Sequence, residues 1–332
     1  MEDGGPALGP DPSLLVLLVA LVDRIPVPPP AARRGRPPVS PDRLFLKALV
    51  VMVLKRLPTA HALPAVLEQP TPEMRRLRGL PTEGGRFPAR RTWERRLAAV
   101  PATLAAQVAC LGAHLPAVLG PWRDCGRAVA IGSTVLRARG GVWHRTERAA
   151  GVVPHTAIDT EAHWTKSGWH GWVSGRKLPL VVTVAGGWLP RRAALTPANA
   201  ADHVAARDLL AGLPAAVRSV LGDSHDHDPA LRARAGRDGR ALVAPTGRGD
   251  PHADGGVEGR RRPHRLRTAA IETFNGRFKA IFDVGGAVPP RGAVATGRFV
   301  LGAVFVYQLT LLLRHAAALD LRVGLNPFLQ AA

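Results

Sequence analysis

The sequence predicts an α/β layer protein: a mixed sheet flanked by helices, preceded by an all-α region. Three observations carry that prediction. From Ser40 to Leu119 the signals are helical. Beyond Pro121, short apolar runs at Ala128–Ile131, Leu178–Ala185, Trp188–Ala194, Ser219–Leu221 and Ala241–Ala244 read as strands, with helical stretches at Ala201–Leu210 and Pro229–Ala235 between them. Two helices follow, one amphipathic through Ile271–Phe282 and one long and apolar from Ala293 to His315, and the second is expected to cover the sheet. The implied organisation is a loose arm with a short helix (1–39), a helical Arg-rich region (40–120), an α/β domain (121–320) and a tail (321–332).

In order, Leu14–Ile25 is a short helix ended by Pro26 and the Pro28–Pro30 run, since proline has no N–H to continue one. Arg33 to Pro38 is a basic extended arm. Ser40 and Pro41 suit an N-cap and a first helical residue, and Leu44–Leu57 supplies the helix body. Further helices are expected at Thr59–Glu68, Pro72–Leu77, Arg91–Leu97 and Ala102–Leu119. Val135–Ala138 extends the first strand, and Gly140–Trp172 has no helical period. No internal repeat is visible.

The formal net charge of +20 favours a polyanionic partner, because cationic side chains release the counterions condensed on a nucleic acid. Only five of the basic residues are Lys, and the Ala, Gly, Pro and Arg excess is what a GC-rich genome encodes, so part of that charge reflects composition. Arg90, Arg91 and Arg95, with Arg75, Arg76, Arg78, Arg86 and Arg96, give the helical region a basic face suited to docking on DNA, although no helix-turn-helix register is evident. Two cysteines, Cys110 and Cys125, make neither a disulfide framework nor a thiolate metal site, which agrees with a reducing cytoplasm. The apolar runs Leu14–Val22 and Leu44–Leu54 are too short to cross a bilayer.

Ile271, Phe274, Phe278 and Phe282 recur at spacings of three and four, which places them on one stripe of a helix. Glu272, Asn275 and Lys279 are expected on an adjoining strip, where a carboxylate, an amide and an ammonium can face one polar ligand. Asp223 ends a predicted strand, the position where α/β sheets gather ligands. The run through His225, Asp226, His227 and Asp228 offers further oxygen and nitrogen donors, or a polar turn capping the helix after Pro229. Trp143, Trp164, Trp169 and Trp172, with His144, His155, His163 and His170, either pack a long loop onto the sheet or stack on exposed bases.

Three blocks together resemble the catalytic blocks of bacterial insertion-sequence transposases of the DDE type. They are Ala130-Ile-Gly-Ser-Thr-Val-Leu-Arg-Ala138, Leu221-Gly-Asp223 followed by Leu231-Arg232, and Ile271-Glu-Thr-Phe-Asn-Gly-Arg-Phe-Lys279. The resemblance implies a ribonuclease-H-like mixed sheet, two Mg²⁺ (or Mn²⁺) ions, a homodimer on double-stranded DNA, and cleavage and strand transfer at terminal inverted repeats. It makes Asp223 the second acid, Glu272 the third and Lys279 a phosphate contact, with Asn275 orienting the DNA. Carboxylates are needed because two metal ions must be bound and bridged to activate the attacking oxygen and stabilise the leaving one.

Two departures bear on activity. The family's first acid falls at Gly132, which has no side chain to ligate a metal. The Tyr and Arg usual upstream of the third acid are replaced: Thr268 stands four residues before Glu272, and Arg265 and Arg267, nearby, are expected to meet DNA. Asp124 and Asp159 are the nearest substitute acids. The readings are therefore a transposase impaired at its first acid and a DNA-binding remnant without chemistry, with a third, a basic nuclease unrelated to transposition, leaving the helical N-terminal half unexplained.

Overall fold

The computed structural model describes residues 13–29, 41–79, 88–119, 126–168, 171–185, 187–226, 228–245 and 257–321. The basic arm at 33–38, Ser40, Arg86, Asp124, Cys125, Trp169, His170, His227 and the tail beyond 321 lie outside the described residues.

Five helices build the first third: α1 (Leu14–Leu21), α2 (Asp42–Leu54), α3 (Ala62–Leu67), α4 (Pro72–Gly79) and α5 (Arg90–Val118). Ser13 caps α1, its hydroxyl accepting the Val16 N–H at 3.3 Å. At the other end the orphan carbonyls of Val22 and Ile25 are met by the Arg43 guanidinium of α2. Pro41 is the N-cap of α2 rather than its first helical residue, and the helix opens on Asp42, whose charge suits the positive end of the helix dipole.

Helix α5 joins the two helices expected at Arg91–Leu97 and Ala102–Leu119 and runs through Pro101. A proline inside a helix lacks an N–H and frees the carbonyl four residues earlier. That carbonyl belongs to Leu97, and Arg298 from a distant helix donates to it at 3.4 Å and to the Pro58 carbonyl at 3.4 Å. A tertiary donor thus serves the acceptor that the proline leaves open.

The rest of the described chain runs β1 (Ala128–Arg137), α6 (Arg145–Ala149), β2 (His163–Ser167), β3 (Gly171–Thr183), β4 (Pro190–Ala193), β5 (Thr196–Pro197), α7 (Asp202–Ala211), β6 (Ser219–Leu221), α8 (Pro229–Arg237), β7 (Ala241–Val243), α9 (Val257–Phe282) and α10 (Ala293–Ala316). The sheet order is β2-β3-β1-β6-β7, with β4 and β5 also paired to β3. Strand β3 runs antiparallel to β1, β2, β4 and β5, while β1, β6 and β7 are mutually parallel. The sheet is therefore mixed, and α8 supplies the crossover that the parallel β6–β7 pair requires. The Gly140–Trp172 stretch, without helical period in the sequence, holds the short α6, β2 and the start of β3.

Strand periodicity sends alternate side chains to opposite faces. Val129, Ile131, Val181 and Val220 pack on one face against Ala206, Leu209, Leu210 and Leu231 of α7 and α8. Ala130, Leu136, Leu178, Leu180, Val182 and Leu221 pack on the other against Ile271, Phe274 and Phe278 of α9. This second core continues without a break into Leu49 and Val53 of α2, Leu104 and Val108 of α5, and nearly all of α10. The helical region and the α/β layer share it.

By length and composition two described helices are apolar enough to cross a membrane, α5 and α10, both longer than the runs at Leu14–Val22 and Leu44–Leu54. The apolar window of α10 is 94 % buried inside the fold, the place of a core helix. Gln308, fully buried on α10, donates at 2.9 Å to the Val108 carbonyl of α5 and at 2.8 Å to the Pro190 carbonyl of β4, which ties the three elements together.

Candidate active site

The apolar stripe of α9 fixes the site. Ile271, Phe274, Phe278 and Phe282 are all buried, with the Phe274 ring 5.7 Å from Phe278 and 5.1 Å from Tyr307 of α10. Docked this way, α9 lies over the middle of β1 and passes close above Gly132. An ideal Cβ on Gly132 would stand 2.7 Å from Nη2 of Arg267 and 2.9 Å from Cγ2 of Ile271, both on α9. Asp223, just past the end of β6, arrives at the same place because β6 is the parallel neighbour of β1, with Ala130 opposite Leu221.

Arg267 occupies the centre. Its Nε donates to the Ile131 carbonyl at 3.2 Å, its Nη2 to Oδ2 of Asp223 at 2.9 Å, and its Nη1 lies 3.9 Å from Oε1 of Glu272. The residue is 8 % exposed, so Arg267, expected on the DNA-facing surface, is instead an interior bridge between β1, β6 and α9. Its planar fork explains how one side chain serves a carbonyl and two carboxylates at once. The Glu272 carboxylate is 64 % exposed and solvent-screened, so its contact is the weaker one.

The strip expected beside the apolar stripe is divided. Glu272 faces solvent and Lys279 is half-buried, its ammonium pKa lowered by burial against the opposing charge of Glu272. Asn275 is buried, and its Oδ1 has no hydrogen-bond partner among the described residues. Arg265 is exposed, as are Arg90, Arg91 and Arg95 along the first turns of α5. Arg90 pairs with Glu94 at 2.9 Å, one turn further along the same helix.

Behind Asp223 a second polar group continues the site. Asp226 is 2 % exposed, and its Oδ2 accepts the Asp223 N–H at 3.0 Å. Burial first, and the Asp223 charge second, push its carboxyl up to about 6. Asp202, at the start of α7, accepts the Ser133 hydroxyl at 2.9 Å and the Lys177 ammonium at 3.2 Å. With Ile131, Gly132, Asp223 and Arg267, these two carboxylates line a cavity of about 40 Å³. Asp202 and Lys177 were not legible as site residues, because they come from separate elements and neither stands in a motif.

Other candidates are committed elsewhere. Asp228 is the N-cap of α8, accepting the Ala230 N–H at 2.8 Å, and its bond from Arg207 holds its carboxyl below the usual range. Asp159, a possible substitute first acid, is buried against Arg176 at 3.6 Å and accepts the Gly292 N–H at 3.0 Å beside the start of α10. Trp143 and Trp164 bind their loop together, Trp143 donating to the Val152 carbonyl at 2.8 Å and Trp164 to the Trp143 carbonyl at 3.3 Å. Trp172, at the start of β3, is 67 % exposed.

A two-metal centre needs three convergent carboxylates. Here Gly132 offers none, the Asp223 carboxylate is paired with the Arg267 guanidinium, and Asp226 and Asp202, which line the same cavity, are engaged by the Asp223 N–H and by the Ser133 hydroxyl and Lys177 ammonium. The arrangement does not fit a metal pair as it stands, and no metal-dependent step follows from it. No protein-family model matches the chain, and no curated protein matches it.

Proposed function

We propose that this chain is a protein of the DDE transposase type that docks on double-stranded DNA, and that in the arrangement seen here it binds without cleaving. One observation supports the reading above the others. Three points far apart in sequence, Gly132, Asp223 and Glu272, come to one place around Arg267, as the three catalytic blocks of such an enzyme would. The mixed sheet, with β3 alone running against its neighbours and helices on both faces, supports a ribonuclease-H-like layer. Exposed Arg90, Arg91, Arg95 and Arg265, with Lys279, are the groups proposed to meet phosphates, and the net charge of +20 favours that partner. A homodimer on terminal inverted repeats, in a reducing cytoplasm with access to the nucleoid, is the setting the reading requires.

A second reading, a working transposase using Mg²⁺ or Mn²⁺, is favoured by the retention of Asp223, Glu272 and Lys279. It requires Arg267 to withdraw and another acid to serve in place of Gly132.

The test uses the full chain with double-stranded oligonucleotides drawn from the DNA flanking its gene, including any inverted repeat found there. DNA binding that weakens steeply with salt, without Mg²⁺-dependent nicking, is the expected result. Nicking that Asp223→Ala abolishes would establish the second reading instead. Absence of DNA binding at low salt would defeat both.

A further inference from the structure

We propose that Arg267 is the resident cation of this site, standing where a divalent ion would otherwise hold β1, β6 and α9 together. The inference rests on reading Gly132, Asp223 and Glu272 as the three anchoring positions. The guanidinium lies among them: Nη2 is 2.9 Å from Asp223, Nη1 3.9 Å from Glu272, and the same Nη2 only 2.7 Å from where a Cβ on residue 132 would stand. The room it occupies exists because residue 132 has no side chain. Nε reaches past that point to the Ile131 carbonyl at 3.2 Å, so the group is anchored at both ends.

A hard divalent ion recruits several oxygen ligands at short distance. A guanidinium satisfies the same carboxylates through N–H groups, carries its charge covalently, and cannot be deprotonated or chelated away. Gly132 and Arg267 therefore form a matched pair in space, since the missing side chain at 132 leaves the room that the guanidinium fills. Two consequences follow. The fold holds without metal, and an acid restored at 132 by itself meets Arg267 and pairs with it. Only removal of the guanidinium together with Gly132→Asp opens a site for a divalent ion.

The experiment measures Mn²⁺ binding by electron paramagnetic resonance, and thermal unfolding with Mn²⁺ or with a chelator, on full-length parent, Gly132→Asp, Arg267→Gln and the double variant. The parent and Gly132→Asp are expected to show no saturable binding at millimolar Mn²⁺, and the parent's Tm to be unmoved by ion or chelator. The double variant is expected to bind at least about tenfold more tightly than either single variant. Saturable Mn²⁺ binding by the parent that Asp223→Asn abolishes overturns the proposal, as does a folded double variant that binds no better than the parent. If the double variant fails to fold, the parent decides: metal-independent Tm without saturable binding supports the proposal, and binding sensitive to Asp223→Asn refutes it. Failure of the parent to bind DNA would count against the proposed DNA-docking function while leaving this result in place.

Discussion

Nη2 of Arg267 lies 2.9 Å from Oδ2 of Asp223, so the carboxylate that ends the β6 turn is paired with α9 through a nearly buried guanidinium. Removing one partner leaves the other desolvated and under-compensated, although Arg267 keeps its bond to the Ile131 carbonyl and the Asp223 side chain is partly exposed. Asp223→Ala is expected to cost about 1–3 kcal/mol in urea unfolding at neutral pH, below the loss seen for fully buried pairs. An unchanged unfolding midpoint would mean that the pair adds nothing to the hold of α9 on the sheet.

Gly132 is needed for its lack of a side chain. Gly132→Ala places a methyl group against Arg267 and Ile271 at distances that Cβ atoms do not tolerate, and is expected to destabilise by about 1–3 kcal/mol. Part of that loss should return when Arg267→Gln is added, because the nearest atom is the end of that side chain, while the Ile271 contact at 2.9 Å remains. A double-mutant cycle in denaturant measures the coupling, and strict additivity would show that the two residues do not share the space.

Asp226 gives the fold a pH dependence of definite sign. With its folded pKa raised to about 6, the native state holds this proton more tightly than the unfolded chain, so stability falls as pH rises from about 4 to about 6 and stays lowered above that. Asp226→Asn keeps an acceptor for the Asp223 N–H without the charge. The variant is expected to be more stable than the parent by about 2–3 kcal/mol at pH 7, the advantage shrinking towards zero near pH 4. Melting curves across that range check it, and an advantage independent of pH would assign the effect to something other than ionisation.

Gln308 is the clearest single tie between the helical region and the sheet. Gln308→Leu keeps the apolar volume of α10 but withdraws a donor from the Val108 and Pro190 carbonyls in a fully buried setting. A loss of about 2–4 kcal/mol is expected from two weakened buried acceptors, read as a lowered midpoint with an unchanged denaturant slope. A fall in slope would instead show α5 separating from the rest of the molecule.

The exposed arginines of α5 are expected to act on DNA through charge. Replacing Arg90, Arg91 and Arg95 with Gln should weaken DNA binding equally across sequences and flatten the dependence of log Kd on log salt by about 0.9 for each phosphate that is no longer neutralised. Anisotropy titrations at several salt concentrations measure that slope. A slope unchanged in the triple variant would place the DNA on another face.

Much of the fold was legible in the sequence because it is written in short-range periodicity. The stripe Ile271, Phe274, Phe278 and Phe282 is buried as its spacing requires, and α7, β6, α8, β7 and α10 fall where the runs of apolar residues place them. Asp223 stands at a strand end, as its place after Leu221 and Gly222 requires. Some departures come from a distant partner that acts on a local rule. Arg91–Leu97 and Ala102–Leu119 read as two helices, yet α5 runs unbroken through Pro101, and Arg298 meets the Leu97 carbonyl which that proline leaves open. Asn275, one turn after Ile271, lies on the edge of the apolar stripe itself, and it is buried with that stripe.

From the sequence itself came the elements, the faces they bury, and the spacing of Asp223, Glu272 and Lys279 along them, because hydrophobic period and turn chemistry depend only on near neighbours. Tertiary structure alone decided that Arg267 fills the space beside Gly132 and that Asp202 and Lys177 meet beside the cavity, with Asp202 in its wall. The Arg267 bond to the Ile131 carbonyl spans 136 residues, and nothing local specifies such a pairing. It is set by the parallel alignment of β1 with β6 and by the packing of α9 across both.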